Sequence, residues 1–192
     1  MAERVCPWWL GPILASPVRR RRHNPAEILG PWVKEGMTII EPGPGMGFFT
    51  IPMAEMVGPS GRVICVDIQE QMLAGVRRRA KKRKLDGRIE TRRCDEGSLG
   101  IDDLTAAADF VLVFAMVHEV PNPRALLNQL SNALRAGGQM LVAEPAGHVS
   151  EADFARTLRI AEHAGLSLVG NPRIPQSLTA VLQKQGNAKS IQ

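Results

Sequence analysis

The sequence predicts an α/β protein with a doubly wound sheet and helices on both faces, and three observations lead to this prediction. Short apolar runs alternate with amphipathic helical patterns through five successive units. The first run ends in a loop with glycine at alternate positions 43, 45 and 47. Two further apolar runs close the chain as an apparent hairpin. Ligands bind at the carboxyl ends of the strands in such sheets, so the residues that follow the strands form the candidate site.

The first half of the chain contains three of the predicted strands. A helix precedes them: Asn24 is its expected cap, Pro25 takes the first helical position, and Glu27 is placed to return a capping bond. We expect this helix to end at Gly36. The predicted strands are 37–42, 61–67 and about 88–94. A helix follows each of the first two strands, and the second of these helices runs through Lys84.

The second half contains the other predicted strands, at 109–115, 139–143, 166–170 and 177–183. The run at 109–115 is continuously apolar, which is typical of a central parallel strand. Asn122 and Pro123 begin the next helix, and we expect Gly137-Gly138 to stop it. The segment 150–153 resembles a capping box that starts a last helix, which Gly165 ends.

The glycine loop follows a β-branched run that ends in Glu41, and it reads E-x-G-x-G-x-G. Glycine lets the backbone approach a ligand closely, and the start of a helix offers free N–H groups. The dinucleotide pattern G-x-G-x-x-G is not met, because Gly47 comes one residue early and Phe48 holds the third glycine's place. The phosphate-loop pattern also fails, since no Lys-Ser/Thr pair follows.

This stretch resembles motif I of class I S-adenosyl-L-methionine (SAM) dependent methyltransferases. The second strand supports the resemblance because it ends in Asp67, about twenty residues past the loop, where an acid accepts hydrogen bonds from ribose hydroxyls. The resemblance covers about residues 24–184 and is closest to the small-molecule group that includes quinone-biosynthesis and arsenite methyltransferases. It implies a Rossmann-like sheet of seven strands in the order 3-2-1-4-5-7-6, with the last strand antiparallel.

The resemblance also implies SAM as cofactor, S-adenosyl-L-homocysteine as product, and a set of binding residues. Asp67 is expected to hold the ribose, Asp95 to receive the adenine amine, and the backbone around Phe114 and Ala115 to receive the methionine end. Helix capping by Asp67 and a surface turn at Asp95 remain the alternatives. The expected cofactor residues are Glu41, Gly43, Gly45, Gly47, Asp67, Ile68, Asp95, Glu96 and Phe114.

Polar side chains follow strands four and five, where the acceptor is expected to meet the cofactor. His118 is the first candidate for a general base or a substrate-orienting group, and Glu144 and His148 come next. A structural hydrogen bond or a loop cap is the alternative role for each histidine. We predict no metal site, because nothing in the sequence fixes the spacing of these groups.

The sequence narrows the class of acceptor. No N/D-P-P-Y/F segment follows strand four, which disfavours methylation of amino groups on nucleic acid bases. Arsenite methylation needs converging thiols, whereas Cys65 lies inside a strand expected to be buried. The three tryptophans and the methionines favour a small apolar or aromatic acceptor. The alternatives are a non-catalytic SAM-binding regulator and an RNA methyltransferase that uses the basic run at 19–22.

The 192 residues suggest three parts. Residues 1–23 form a lid, a membrane-surface anchor or a segment packed on the core, since two tryptophans at 8–9 precede four arginines at 19–22. Residues 24–184 form the methyltransferase domain, and 185–192 form a frayed tail. The oligomeric state is left open.

Composition points to the cytoplasm. Cys6, Cys65 and Cys94 are widely spaced and odd in number, which fits a reducing compartment better than a disulfide framework. No apolar run is long enough to span a membrane, and the N-terminus lacks a signal-peptide pattern. The net charge is +5, and we interpret the basic cluster at 77–84 as the solvated face of a helix.

Overall fold

The computed structural model describes residues 7–10 and 23–186, which contain five α-helices and seven strands. The helices are α1 (Pro25–Leu29), α2 (Thr50–Met56), α3 (Glu70–Arg83), α4 (Pro123–Ala133) and α5 (Glu151–His163). The strands are β1 (Thr38–Pro42), β2 (Arg62–Asp67), β3 (Ile89–Arg93), β4 (Ala108–Phe114), β5 (Leu134–Pro145), β6 (Leu166–Gly170) and β7 (Ser177–Lys184). Short 3₁₀ turns lie at Trp8–Leu10, Asp86–Arg88, Asp102–Leu104 and Val117–Glu119.

The seven strands form one sheet in the order β3-β2-β1-β4-β5-β7-β6. β1 to β5 run parallel to one another, and β7 runs antiparallel to both β5 and β6. The predicted fold class, strand order and antiparallel last strand are therefore confirmed.

The core lies on both faces of this sheet because neighbouring residues of a strand point to opposite sides. Ile40 packs with the buried side chains of α4 and α5, whereas Ile39 packs with those of α1, α2 and α3. Both isoleucines are fully buried. The carboxyl end of β1 is thus held from two sides, and the loop that follows it starts from a fixed point.

Two predicted helix ends are wrong. α1 ends at Leu29 instead of Gly36, because Pro31 has no N–H with which to continue the helix. α4 ends at Ala133, and the Gly137-Gly138 pair that was expected to stop it lies inside β5. The pairing of β5 with β4 shifts register between Ala108 and Phe110, and Gly137 takes a φ of +76° in this irregular stretch.

Some of the predictions from the sequence concern the two ends of the chain. The basic run at 19–22, Cys6 and the tail beyond residue 186 lie outside the described residues. Trp8 and Trp9 are 47% and 63% exposed. Within residues 7–10 and 23–186, no helix combines the length and apolar character needed to cross a membrane.

Candidate functional site

A cavity of about 460 Å³ opens at the carboxyl ends of the parallel strands. It brings together most of the predicted site residues, from segments far apart in the chain. Those that line it are Glu41, Gly43, Gly45, Asp67, Ile68, Asp95, Glu96, Phe114, His118 and His148. Gly47 and Glu144 do not line it.

The glycine loop owes its shape to backbone conformations that favour glycine. Gly43, Gly45 and Gly47 have φ angles of +64°, +54° and +84°. The N–H of Gly43 donates to the carbonyl oxygen of Val66 over 2.8 Å, which ties the loop to β2. A Cβ at Gly45 would meet no atom within 4 Å, so this position faces open space. A Cβ at Gly47 would lie 3.5 Å from Val76 of α3, an ordinary contact, so the positive φ and not a lack of space favours glycine there.

Glu41 ends β1 as a buried acid, 3% exposed, at the wall of the cavity. The hydroxyl of Thr50 donates to its carboxylate over 2.5 Å, and the thiol of Cys65 lies 3.8 Å from the same oxygen. Burial, and then the charge of Glu41, raise the pKa of the Cys65 thiol well above its usual value. Cys65 is therefore a neutral packing residue, and Glu41 is fixed in place by the first residue of α2.

Asp67 lies both at the start of α3 and at the wall of the cavity. Its carboxylate accepts the N–H of Gln69 over 2.8 Å at the start of α3, and it also lines the cavity. Burial raises its pKa from 3.8 to about 6, against the Gln69 hydrogen bond, and the charge of Glu119 adds to the increase. An acid that is desolvated in this way gains most from a ligand that donates hydrogen bonds to it.

The loop after β3 carries Asp95 and Glu96 and is held by a residue that the sequence analysis missed. Gln129 on α4 accepts the N–H of Leu99 over 2.8 Å and donates to the carbonyl oxygen of Gly97 over 3.2 Å. The sequence gives one signal for this role. Gln129 follows the buried Leu126 by three residues, so the two side chains lie on the same side of the helix.

Glu144 organises the turn after β4 from beneath. It is 1% exposed, and one carboxylate oxygen accepts the N–H groups of Met116 and Val117, each over 3.0 Å. The other oxygen accepts the N–H of His118 over 3.3 Å and lies 2.5 Å from its ring Nδ1. A carboxylate only accepts, so Nδ1 carries the proton. Glu144 therefore fixes the orientation of His118 and has no contact with the cavity itself.

His118 faces the cavity with the other side of its ring. Its Nε2 lies 3.9 Å from a carboxylate oxygen of Glu119, a lining residue that is 23% exposed. The hydrogen bond to Glu144 is the main cause of a raised His118 pKa, which burial opposes and the charges of Glu144 and Glu119 support. The ring of His148, in the turn after β5, lies 6.3 Å from that of His118 between centroids.

The segment between β4 and this turn is strained. Ala115 has a φ of +55°, an uncommon conformation for alanine, and its N–H donates to the carbonyl oxygen of Ala143 over 2.7 Å. The ring of Phe114 packs against Phe49 with 4.5 Å between centroids and against His23 with 5.2 Å. These contacts fix the wall where the methionine end of a cofactor was expected.

The remaining lining is largely apolar. Met46, Met72 and Met116 contribute to it, as the composition suggested, whereas none of the three tryptophans does. Cys94 also lines the cavity, and burial raises its pKa to about 11, so the thiol is neutral near pH 7. Across residues 7–10 and 23–186, no cluster of three or more histidine, cysteine or acidic side chains has the geometry of a metal site.

Comparison with known proteins agrees with this geometry. The family model described as a methyltransferase domain matches residues 33–186. A protein-L-isoaspartate O-methyltransferase of Methanothrix thermoacetophila is 32% identical over 119 residues, which are 62% of this chain and 51% of that protein. A ubiquinone/menaquinone biosynthesis C-methyltransferase of Pasteurella multocida is 29% identical over 112 residues, 58% of this chain and 41% of that protein.

The chain thus spans about half the length of the curated relatives it matches. Among solved structures, a SAM-dependent methyltransferase from Aquifex aeolicus superposes with a TM-score of 0.82 at 22% identity, covering 93% of this chain and 98% of that one. This likeness concerns the fold. Because the family model matches most of the sequence, the chain belongs to the methyltransferase domain family.

Proposed function

We propose that the protein transfers a methyl group from SAM to a small-molecule acceptor. One observation carries the proposal: the glycine loop, Asp67 and the Glu144-oriented His118 contribute to one cavity, so a nucleotide site and a polar reaction site adjoin. The protein does not need to activate the methyl donor, because the sulfonium of SAM supplies an already activated methyl group. The work of the chain is to bind, orient and exclude water.

The residues fit the cofactor along the length of the cavity. The desolvated Asp67 suits the ribose hydroxyls, and the Gln129-held loop with Asp95 suits the adenine. The open space at Gly45 lets a ligand approach the backbone closely, and the buried Glu41 offers negative charge near the cationic end.

In this proposal the acceptor lies at the ends of β4 and β5. His118 and His148 line the cavity there, and Met116 adds an apolar side chain. This combination suits a small molecule with an apolar body and a polar reacting group. Glu144 is a positioning residue in this scheme, because it acts on the acceptor only through His118.

Calorimetric titration with SAM, and separately with NAD, tests the cofactor assignment. We expect SAM to bind, NAD not to bind, and Asp67→Ala to weaken SAM binding by about tenfold or more, as expected for a lost hydrogen bond to a charged group. Asp86→Ala, at an exposed acid in the turn after α3, is the matched control and should bind like wild type. Failure of the wild-type protein to bind SAM would overturn the proposal.

A further inference from the structure

His118 lies between two carboxylates on opposite sides of its ring. Glu144 is buried near the end of β5, and its carboxylate accepts the Nδ1–H of the ring over 2.5 Å. Glu119, its neighbour in the Val117–Glu119 turn, places a carboxylate oxygen 3.9 Å from Nε2. The second distance exceeds that of an ordinary hydrogen bond, so Nε2 is within the field of Glu119 and still open to a ligand from the cavity.

This environment favours the protonated ring. Glu144 already accepts three backbone N–H groups, so its carboxylate is held as an acceptor and the ring must supply a proton at Nδ1. The nearby negative charge of Glu119 favours a second proton at Nε2. The pKa of His118 is raised for these reasons, chiefly by the Glu144 hydrogen bond, and burial opposes the increase.

Other titratable groups of the described residues also face the His118 ring or its neighbour Glu119. His148 faces it from the turn after β5, and Asp67 lies across the cavity close enough for its charge to interact with Glu119. A protonated His118 presents an N–H donor to the cavity and has no lone pair with which to take a proton. A partner at Nε2 must therefore accept a hydrogen bond from the ring and must reach the site without a proton that His118 would have to remove.

We propose that the acceptor is an oxygen acid that reaches the site as its anion, a carboxylate or an acidic phenol or enol, and that the Nε2–H of His118 binds its reacting oxygen. This inference rests on the proposed methyl transfer. The acceptor oxygen forms a bond to the methyl carbon while the carbon–sulfur bond breaks with its electron pair going to sulfur. No proton has to leave the acceptor, and His118 keeps both of its protons throughout.

The alternative is that His118 is a neutral general base for an alcohol, an amine or a thiol. The two cases differ in the charge of the ring before reaction and in the class of ligand it selects. Nitrogen-15 NMR of the histidine rings distinguishes them in the complex with S-adenosyl-L-homocysteine, where no turnover occurs. We expect both ring nitrogens of His118 to be protonated at pH 7.

Four aromatic probes of similar size then test the class of acceptor. Benzoate and 4-nitrophenolate represent the two kinds of oxygen anion, and benzyl alcohol and benzylamine are the neutral and cationic counterparts. We expect saturable shifts of the His118 nitrogens with at least one anion, and at least tenfold weaker binding of the alcohol and the amine. His118→Gln should weaken anion binding at least tenfold, whereas His163→Gln, on the exposed last turn of α5, should not.

The outcomes separate this inference from the proposed function. If the wild-type protein binds S-adenosyl-L-homocysteine but its His118 ring is neutral at pH 7, or the alcohol or amine binds as tightly as the anions, the inference fails and the methyltransferase assignment stands. If neither anion binds, the inference fails in the same way. If S-adenosyl-L-homocysteine itself does not bind, both are overturned.

Discussion

Arg79 donates a hydrogen bond of 2.8 Å from its guanidinium to the carbonyl oxygen of Met46, in the middle of the glycine loop. Its neighbours Arg77 and Arg78 are exposed on the surface of α3, whereas Arg79 is half-buried. The cluster at 77–84 is thus not uniform, because one member reaches the candidate site. Arg79 holds the loop from the outside, 33 residues away along the chain.

Loss of this contact should loosen the glycine loop. We expect Arg79→Ala to weaken SAM binding by about tenfold, since a hydrogen bond from a charged donor contributes roughly 1.5–3 kcal/mol. Arg78→Ala removes the same charge from the adjacent exposed position and should change binding little. Calorimetry on the two variants measures the difference, and equal losses in both would mean that net charge, not loop geometry, sets the affinity.

The raised pKa of Asp67 predicts a pH dependence of cofactor binding. Ribose hydroxyls donate to the ionised carboxylate, so affinity for SAM should fall as the pH drops below about 6, the pKa of Asp67 in the free protein. For the free protein the sign is opposite: its stability decreases as the pH rises from about 4 to about 6, because the folded state holds this proton more tightly than the unfolded chain.

Calorimetry between pH 5 and 8, in buffers of different ionisation enthalpy, should detect proton release on SAM binding near pH 6. Asp67→Asn binds no proton in this range and should abolish the release. Proton release that persists in Asp67→Asn would assign the titration to another group.

Glu144 should contribute strongly to stability. Glu144→Ala leaves three buried or half-buried backbone N–H groups without their acceptor, which we expect to cost about 3 kcal/mol or more in the free energy of unfolding. Glu151→Ala, at the exposed start of α5, is the control and should stay within about 1 kcal/mol of wild type. Urea unfolding of both variants measures the two costs.

Glu144→Gln tests how the negative charge of Glu144 contributes to stability through His118. In the wild type the raised pKa of His118 stabilises the fold below pH 6.5, and this contribution is lost as the pH rises through the raised value. The amide retains an acceptor for backbone N–H groups but carries no charge, so this loss of stability with rising pH should largely disappear. An unchanged stability profile between pH 6 and 9 would show that Glu144 does not set the charge of His118.

Gln129 should affect recognition of the base. Gln129→Ala frees the loop that carries Asp95, and we expect about fivefold to tenfold weaker binding of S-adenosyl-L-homocysteine, with a reduced preference over the analogue in which hypoxanthine replaces adenine. Gln183→Ala also removes an amide that donates to a backbone carbonyl, that of Gly137, and serves as the control outside the cavity. A merely structural role would lower affinity for both ligands equally.

The sequence was sufficient for the fold and for much of the cavity because both depend on local patterns. Apolar runs predicted the strands to within one or two residues in most cases, and the glycine loop and Asp67 were predicted to lie together, as they do at the cavity wall. The Gly137-Gly138 pair misled because the chain leaves α4 at Ala133 and pairs with β4 from Leu134, so the glycines fall in the irregular part of β5.

Other features could not be predicted because they join distant segments without a local signature. Arg79 looks like one more surface arginine, and Gln129 like one more helical amide, until the loops they hold are placed beside them. His118 and Glu144 were expected at one edge of the sheet, but only the structure puts the carboxylate beneath the ring. The roles of residues 1–23 and the cytoplasmic location stay predictions.

The central pairing of β1 with β4 has a consequence for how the protein is made. The N–H of Thr38 donates to the carboxylate of Asp109, 71 residues later, and the two strands are neighbours in the middle of the sheet. During synthesis the glycine loop and Asp67 leave the ribosome well before the strand that must lie beside β1. Closure of so long a loop comes late in folding. A cofactor bound across these segments would therefore stabilise the finished sheet, but it would have no complete site from which to guide the assembly of the first half.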